Sequence, residues 1–260
     1  GRMLAVVPQS TAAKKVPVTD AMSPREIWLV LIGLMSGLFL SSLDQTVVGT
    51  AMRTISDDLN GLSLQAWVTT AYLITSTVVT PIAGKLSDIY GRRPIYMASI
   101  FIFLIGSILS GFAWSMPTLA IFRAIQGIGG GGLMSLAFTI IADMVAPRER
   151  AKYQGFFIAV FGSSSVLGPL VGGFFAGTDQ ILWIDGWRWV FLVNIPIGAI
   201  AVYMVWRFLH VPQIRHNVKI DWIGVVTVIL AVVPLLLVAE QGREWGWLSW
   251  NSIMMYILGV

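Results

Sequence analysis

The chain has 260 residues, of which 56% are hydrophobic and only 12% charged, with a formal net charge of +4. Soluble domains carry about 25% charged residues, so this chain cannot cover a globule with polar side chains and much of its surface must face lipid. The composition excludes a disordered, a collagen-like and a nucleic-acid-binding chain. The absence of cysteine from the sequence excludes disulfides, thiol catalysis and cysteine-ligated metal.

Apolar runs long enough to cross the ~30 Å hydrocarbon core predict seven membrane-spanning helices. In chain order they are roughly Ile27–Ala51, Ala66–Gly84, Ile95–Ala113, Thr118–Asp143, Tyr153–Gly177, Trp189–Leu209 and Ile220–Glu240, and an eighth begins near Ser252. Residues 1–26 have no apolar core followed by a cleavage site, so we interpret them as a disordered polar tail and not as a signal peptide.

The basic residues divide unevenly between the two sides of the predicted membrane. Thirteen of the 17 Lys and Arg residues fall in the tail and in the loops after spans 2, 4 and 6, and three fall on the opposite side. Because cytoplasmic loops carry the excess of Lys and Arg, we expect the tail and these loops to be cytoplasmic. The positive charge therefore indicates topology and does not indicate a nucleic-acid partner.

Two ionisable residues, Asp44 and Arg123, lie well within spans. A charge there costs ~2.5–3.5 kcal/mol on insertion scales, so each is a candidate functional residue. A carboxylate buried beside a cation can bind and release a proton as its cavity changes exposure, which is the chemistry of a proton-coupled carrier. The alternatives are a structural ion pair, or an Asp44 close enough to the outer interface to be hydrated.

Polar residues in span 2 could line a cavity near that pair. Tyr72, Ser76 and Thr80 are spaced by four and therefore share one helix face. Small residues also let membrane helices approach closely, so packing explains the pattern equally well. We interpret Gly129–Gly132, which lie inside span 4, as a site of close helix packing or a flexible point and not as a phosphate-binding loop.

The residues after span 2, Gly84–Pro94, run GKLSDIYGRRP. Asp88 and Arg92 are oppositely charged and lie near a helix end, where such a pair can hold helix termini together. This segment resembles the loop 2–3 signature of the major facilitator superfamily, G-x-L-[AS]-D-x-x-G-[RK]-[RK], and the match is complete. The resemblance implies a cytoplasmic gate made of Gly84, Asp88, Gly91, Arg92, Arg93 and, as a partner of Arg92, Asp143.

Three further stretches are similar to motifs of the same family. Arg123–Gly130 resembles R-x-x-Q-G-x-G, whose arginine the family ties to proton coupling. Gln126 of this stretch joins Tyr72 and Ser76 as a candidate cavity-lining residue. Span 5 resembles the antiporter motif through Gly155, Gly168, Pro169, Gly172 and Gly173, with Ser164 where the second glycine is expected. Leu43–Arg53 resembles the L-D-x-T-V-V motif of fourteen-span drug:proton antiporters. Arg53 replaces the usual closing proline, so the motif does not define the residue at which span 1 ends.

Two stretches favour the fourteen-span branch, namely Trp187–Gly198 at the start of span 6 and Asp221–Gly224 at the start of span 7. The resemblance implies an all-α integral membrane fold: a six-helix N-terminal bundle over residues 27–209, then one linker helix and a truncated eighth span within 210–260. We therefore expect the N-terminal portion of a longer carrier, missing a C-terminal half and unable to transport by itself.

The function implied is proton-coupled export of drugs or other small amphipathic or cationic compounds by alternating access. Asp44 and Arg123 would couple protons, a proton gradient would supply the energy, and no cofactor or metal is expected. The expected location is a bacterial inner or plasma membrane. Two alternatives remain: a carrier of a physiological solute such as a lipid, siderophore or sugar, and a non-transporting membrane scaffold. The only histidines, His210 and His216, lie in the loop after span 6, so we expect no enzyme.

Overall fold

The computed structural model describes residues 22–211 and 219–260. Within these ranges the helices are α1 Pro24–Asp58, α2 Gln65–Tyr90, α3 Arg92–Gly111, α4 Met116–Met144, α5 Pro147–Ala176, α6 Trp189–Leu192, α7 Asn194–Phe208, α8 Trp222–Trp245 and α9 Trp250–Gly259. Two strands, β1 Gln180–Ile181 and β2 Ile184–Asp185, pair antiparallel. Seven helical segments are long and apolar enough to cross a membrane, so the prediction of seven spans is confirmed.

The first helix is longer at both ends than the sequence predicts. It begins at Pro24, because Ser23 and Glu26 form a reciprocal capping box, so the predicted tail extends three residues too far. It continues past Ala51 to Asp58, because Arg53 keeps the backbone N–H that a proline would lack. Residues 1–21 and 212–218, with His216 among them, lie outside the described residues, and the predicted disorder of the tail stays a prediction.

The region between α5 and α7 was not predicted in detail. The strands β1 and β2 are joined by Leu182 and Trp183, whose φ angles of 50° and 62° suit a two-residue hairpin turn. The sixth span is interrupted at Val193, because Pro196 has no N–H to donate to the carbonyl of Leu192. In the described part of the chain the secondary structure is therefore helical apart from one short ribbon, and the sixth span consists of two helices.

Glycines in the middle of α4 allow it to pack closely between α2 and α3. A Cβ on Gly131 would lie 2.7 Å from the Cα of Ser76 in α2, and one on Gly129 would meet the backbone of Ser99 and Phe103 in α3. A side chain at these positions would push the helices apart. The interpretation of this run as a close-packing surface is confirmed. It places Arg123, about two turns earlier on α4, in the interior.

Helix α1 packs on the other side of the bundle, against α5 and α7. Helix α8 contacts α2, and its buried Gln241 donates to Thr70 Oγ1 at 3.2 Å. Helix α9 begins at Trp250, two residues before the predicted position, and returns along α8. Most of α8 is otherwise exposed, as expected of a helix that faces lipid. The bundle thus encloses polar residues of α1, α4 and α7 at its centre.

Candidate functional site

The centre of the bundle holds an ion pair between Asp44 of α1 and Arg123 of α4. Arg123 donates from one terminal nitrogen to Asp44 Oδ2 at 2.5 Å. Both side chains are buried, with 0% and 1% of their surface exposed. The alternative in which Asp44 is hydrated near the outer interface is therefore contradicted by its burial. Two charges removed from water in this way are retained only where each is matched by the other and by hydrogen bonds.

Two neutral amides complete the coordination of the Asp44 carboxylate. Gln126 donates to Asp44 Oδ1 at 3.0 Å and accepts from Arg123 at 2.8 Å, so it bridges the two charges. Asn194, the first residue of α7, also donates to Asp44 Oδ1, at 2.9 Å. The carboxylate therefore receives three hydrogen bonds from α4 and α7, and Arg123 is the one cation bonded to it within the described chain.

Tyr72 of α2 covers the arginine. Its ring centroid lies 4.3 Å from the guanidinium carbon of Arg123, which suits a cation–π contact, and its hydroxyl pairs with Ser41 Oγ at 3.1 Å. Of the predicted cavity residues, Tyr72 and Gln126 thus belong to the cluster. Ser76 does not bond to it, and its close contact is a backbone one with Gly131, which favours the packing alternative for this residue.

A second ionic cluster lies at the junction of α2 and α3, next to the end of α4. Arg92 lies 2.8 Å from Asp88 Oδ1 and 2.8 Å from Asp143 Oδ2 at the end of α4, and it also bonds to Ser87 Oγ. Gly91 has a φ of 102°, a conformation that L side chains rarely adopt, and it turns the chain between the two helices. The expected partnership of Arg92 with Asp143 is thus present in the structure.

The other two predicted gate residues do not join these ion pairs. Arg93 donates to the carbonyl of Trp206 at 2.5 Å, near the end of α7. Gly84 offers its carbonyl to Arg92 at 3.4 Å, and a Cβ there would meet nothing within 4 Å. The charged part of the cluster therefore ties α2, α3 and α4 together, and Arg93 adds a contact to α7.

The antiporter-like motif of α5 divides between two faces of the helix. Gly168 and Gly172 face α1, where a Cβ on Gly168 would meet Thr46 and one on Gly172 would lie 2.6 Å from the carbonyl oxygen of Val47. Thr46, two residues after Asp44, donates to the carbonyl of Ser164 at 3.0 Å. These glycines therefore let α5 approach the segment of α1 that carries Asp44.

The remaining motif residues, Gly155, Pro169 and Gly173, are exposed, and a Cβ on either glycine would meet nothing within 4 Å. Ser164, which stands where the motif has its second glycine, is buried and donates to the carbonyl of Val160 at 2.9 Å. The structure thus gives a packing reason for two of the five predicted motif residues, and the other three face away from this bundle.

Sequence reasoning missed Asn194, Ser107 and Ser41 as members of the central cluster. Asn194 lies inside the run Trp187–Gly198, and its polar amide within an apolar span could have marked it as a candidate member of the cluster. Ser107 of α3 accepts from Asn194 at 2.9 Å and donates to the carbonyl of Phe191 at 2.7 Å. Nothing distinguishes these serines in the sequence, because small residues are common in every span.

Metal binding is not favoured by the geometry. Across residues 22–211 and 219–260, no three His, Cys, Asp or Glu side chains come together as a metal site requires. Asp44 has an arginine, a glutamine and an asparagine as its neighbours, and none of these supplies a second carboxylate or an imidazole. The expectation that the chain needs no cofactor stays a prediction.

Seven long apolar helices around a buried polar centre define a multi-pass membrane protein. The sequence model of the Major Facilitator Superfamily matches residues 34–260 of this chain. The chain belongs to this family. It is 44% identical over 233 residues to the multidrug transporter protein MdtP of Bacillus subtilis (89% of this chain, 42% of the relative) and 45% identical over 226 residues to multidrug resistance protein 3 of the same organism (87% and 43%).

Solved transporter structures share the fold at low sequence identity. The human organic anion transporter MFSD10 superposes with a TM-score of 0.65 at 19% identity, covering 85% of this chain and 57% of that one. The proton:xylose symporter XylE superposes with a TM-score of 0.64 at 18% identity, covering 92% and 50%. The chain thus spans about two fifths of the length of its two bacterial relatives. The family and these relatives are transporters and not enzymes.

Proposed function

We propose that this chain is the proton-coupling part of an exporter of drugs or other small amphipathic or cationic compounds. The observation that carries the proposal is the Asp44 carboxylate, which is fully buried in the bundle and bonded to one cation, Arg123. The names of the two bacterial relatives support multidrug compounds as the substrate class. Export would proceed by exchange of substrate for protons across a cell membrane.

Asp44 would act by alternating between a charged and a neutral form. As a carboxylate it is matched by Arg123, Gln126 and Asn194. When it takes up a proton, the ion pair loses one of its charges and Arg123 is left as an uncompensated buried cation. Such a state favours a rearrangement that admits water or a negative group to the arginine, and this dependence of conformation on protonation is what coupling requires.

The ionic cluster around Arg92 would act as the gate at the end predicted to be cytoplasmic. Its contacts join the ends of α2, α3 and α4, so opening that end requires that the ion pairs separate. Partial exposure makes this possible, since Asp143 keeps 42% of its side chain accessible and water can replace its partner at little cost. We place this end and the N-terminus in the cytoplasm on the distribution of basic residues.

Efflux from whole cells tests the proposal. The intact protein is expressed in cells that lack their own multidrug exporters, and ethidium accumulation is measured for the parent, Asp44→Asn and Asp57→Asn. Asp57 is the matched control, because it lies on the same helix with 58% of its side chain exposed and, among the described residues, its one ion pair is with Arg53. We expect Asp44→Asn to accumulate ethidium like cells without the protein and Asp57→Asn to behave like the parent. Undiminished efflux by an inserted Asp44→Asn protein would refute the assignment.

A further inference from the structure

Two buried atoms at the centre of the bundle, Arg123 Nε and the side-chain oxygen of Asn194, have no hydrogen-bond partner among the described residues. The side-chain nitrogen of Asn194 donates both to Asp44 Oδ1 at 2.9 Å and to Ser107 Oγ at 2.9 Å. Its side-chain oxygen is buried and has no hydrogen-bond partner within residues 22–211 and 219–260. Leaving a buried acceptor without a partner is unfavourable, so this oxygen calls for an explanation that the carboxylate form of Asp44 does not provide.

The chemistry of Asp44 supplies that explanation. A carboxylate accepts hydrogen bonds only, so it requires the N–H side of the Asn194 amide. A protonated carboxyl group has an O–H to donate, and it then requires an acceptor. An amide side chain carries both kinds of group on one planar unit, and a rotation about its last side-chain bond exchanges them.

We propose that Asn194 is a positioning residue that serves both protonation states of Asp44. Its N–H holds the carboxylate beside Arg123, and its free oxygen accepts the hydrogen bond of the protonated form. The proton goes to Asp44 Oδ1, and no covalent bond of Asn194 changes. When the amide turns, Ser107 donates to the amide oxygen instead of to the carbonyl of Phe191. This inference rests on the proposed proton-carrying role of Asp44.

The position of Asn194 gives this exchange a structural consequence. Asn194 is the first residue of α7, directly after the interruption at Val193, and α7 packs against both α1 and α3. A change in which Asn194 atom faces Asp44 therefore acts at the hinge between α6 and α7. Gln126 cannot take the same role freely, because its oxygen is already bonded to Arg123.

Infrared spectroscopy of the intact protein in lipid films tests the contact without any substrate. The C=O stretch of protonated Asp44 is isolated as the band that appears on acidification in the parent and is missing in Asp44→Asn. Removal of a hydrogen bond from a carboxyl group moves this stretch to higher wavenumber. We expect that shift in Asn194→Leu, which keeps the size of the side chain, and a smaller one in Ser107→Ala, which frees the amide from its anchor.

Gln241→Leu is the matched control, because it removes another buried amide that also has an unpartnered oxygen but bonds to Thr70 of α2 and not to Asp44. It should leave the band unchanged. An Asp44 band that stays in place in Asn194→Leu and in Ser107→Ala overturns the inference and leaves the proposed function standing. If the parent shows no such band, Asp44 does not take up a proton, and the proposed function and the inference fall together.

Transport by reconstituted protein separates positioning from a merely structural role. Proton-driven uptake of tetraphenylphosphonium and its proton-independent counterflow are measured in proteoliposomes. Loss of a hydrogen bond to a charged group predicts a roughly tenfold or larger fall in proton-driven uptake by Asn194→Leu, with counterflow close to the parent's and partial recovery in Asn194→Gln. An equal fall in both activities would mean that Asn194 only supports the fold and would overturn the inference.

Discussion

The two ionic clusters of this protein use the same residue types in opposite surroundings. In the centre, Arg123 and Asp44 are at most 1% exposed. At the end of the bundle, Arg92 is 16% exposed, and its partners Asp88 and Asp143 are 25% and 42% exposed. Burial makes the central pair depend on both of its members, whereas water can replace either partner at the end. The buried pair suits a residue whose change of protonation must alter the conformation. The partly exposed cluster suits a contact that must break and form again.

The largest expected effect is on stability and follows removal of Arg123. Arg123→Leu leaves Asp44 as a buried carboxylate without its cation, and breaking a buried pair in this way costs about 3–5 kcal/mol. The double variant Asp44→Asn with Arg123→Leu removes both charges and should recover most of that loss without recovering transport. The free energy of unfolding of the purified protein in detergent measures both variants. A single variant as stable as the parent would show that the pair is not buried in the working protein.

Glycine substitutions extend the comparison from charge to packing. Gly131→Ala places a methyl group against the backbone of Ser76 in the middle of the bundle and should destabilise the protein by about 1–3 kcal/mol. Gly84→Ala, near the gate, meets nothing within 4 Å and should be neutral or stabilising by up to ~1 kcal/mol. Thermal unfolding compares the two variants. Equal destabilisation by both would remove the distinction between a tightly packed centre and a loose end.

The proposed gate around Arg92 should respond in conformation more than in stability. Arg92→Gln removes two partly exposed ion pairs and should cost only about 0.2–1 kcal/mol for each. It should nevertheless raise the rate at which a cysteine introduced at Thr80 reacts with a thiol reagent added from the cytoplasmic side. These 260 residues hold no other cysteine that could react.

Arg53→Gln is the control for the gate experiment, because Arg53 pairs with Asp57 on the exposed part of α1 and not with the gate. It should leave the labelling rate at the parent's value. A rate that rises equally in both variants, or in neither, would contradict a gating role for Arg92.

The smallest expected effect is that of salt. Raising the ionic strength from 0.1 M to 1 M shortens the screening length from about 10 Å to about 3 Å. The coupling energy between Arg92 and Asp143, measured by a double-mutant cycle, should then fall towards zero. The coupling between Asp44 and Arg123 should stay constant, because no salt reaches a fully buried pair. A central coupling that also disappears with salt would show that ions enter the centre.

The sequence predicts the charged parts of both clusters better than the neutral ones. Asp44 and Arg123 stand out because a charge within a span is expensive and therefore rare. Asn194 does not stand out in this way, since an amide costs less to bury and also occurs in simple packing. Its role depends on the interruption of the sixth span at Val193, which places it opposite Asp44, a residue 150 positions earlier in the chain.

Helix number was predictable and helix ends were not. The length of each apolar run sets the number of spans, whereas the ends depend on local bonds such as the capping box of Ser23 and Glu26. The ribbon at Gln180–Asp185 and the contact of Gln241 with Thr70 are set by tertiary structure and leave no periodic signal in the sequence.

The central claim is that Asp44 carries the proton, and the most direct measurement is proton movement caused by substrate. Everted membrane vesicles are given an inward proton gradient, and a pH-sensitive dye records its discharge when ethidium is added. The account predicts discharge by the parent and by Asp57→Asn, and none by Asp44→Asn. Discharge by Asp44→Asn at the parent's rate would contradict it.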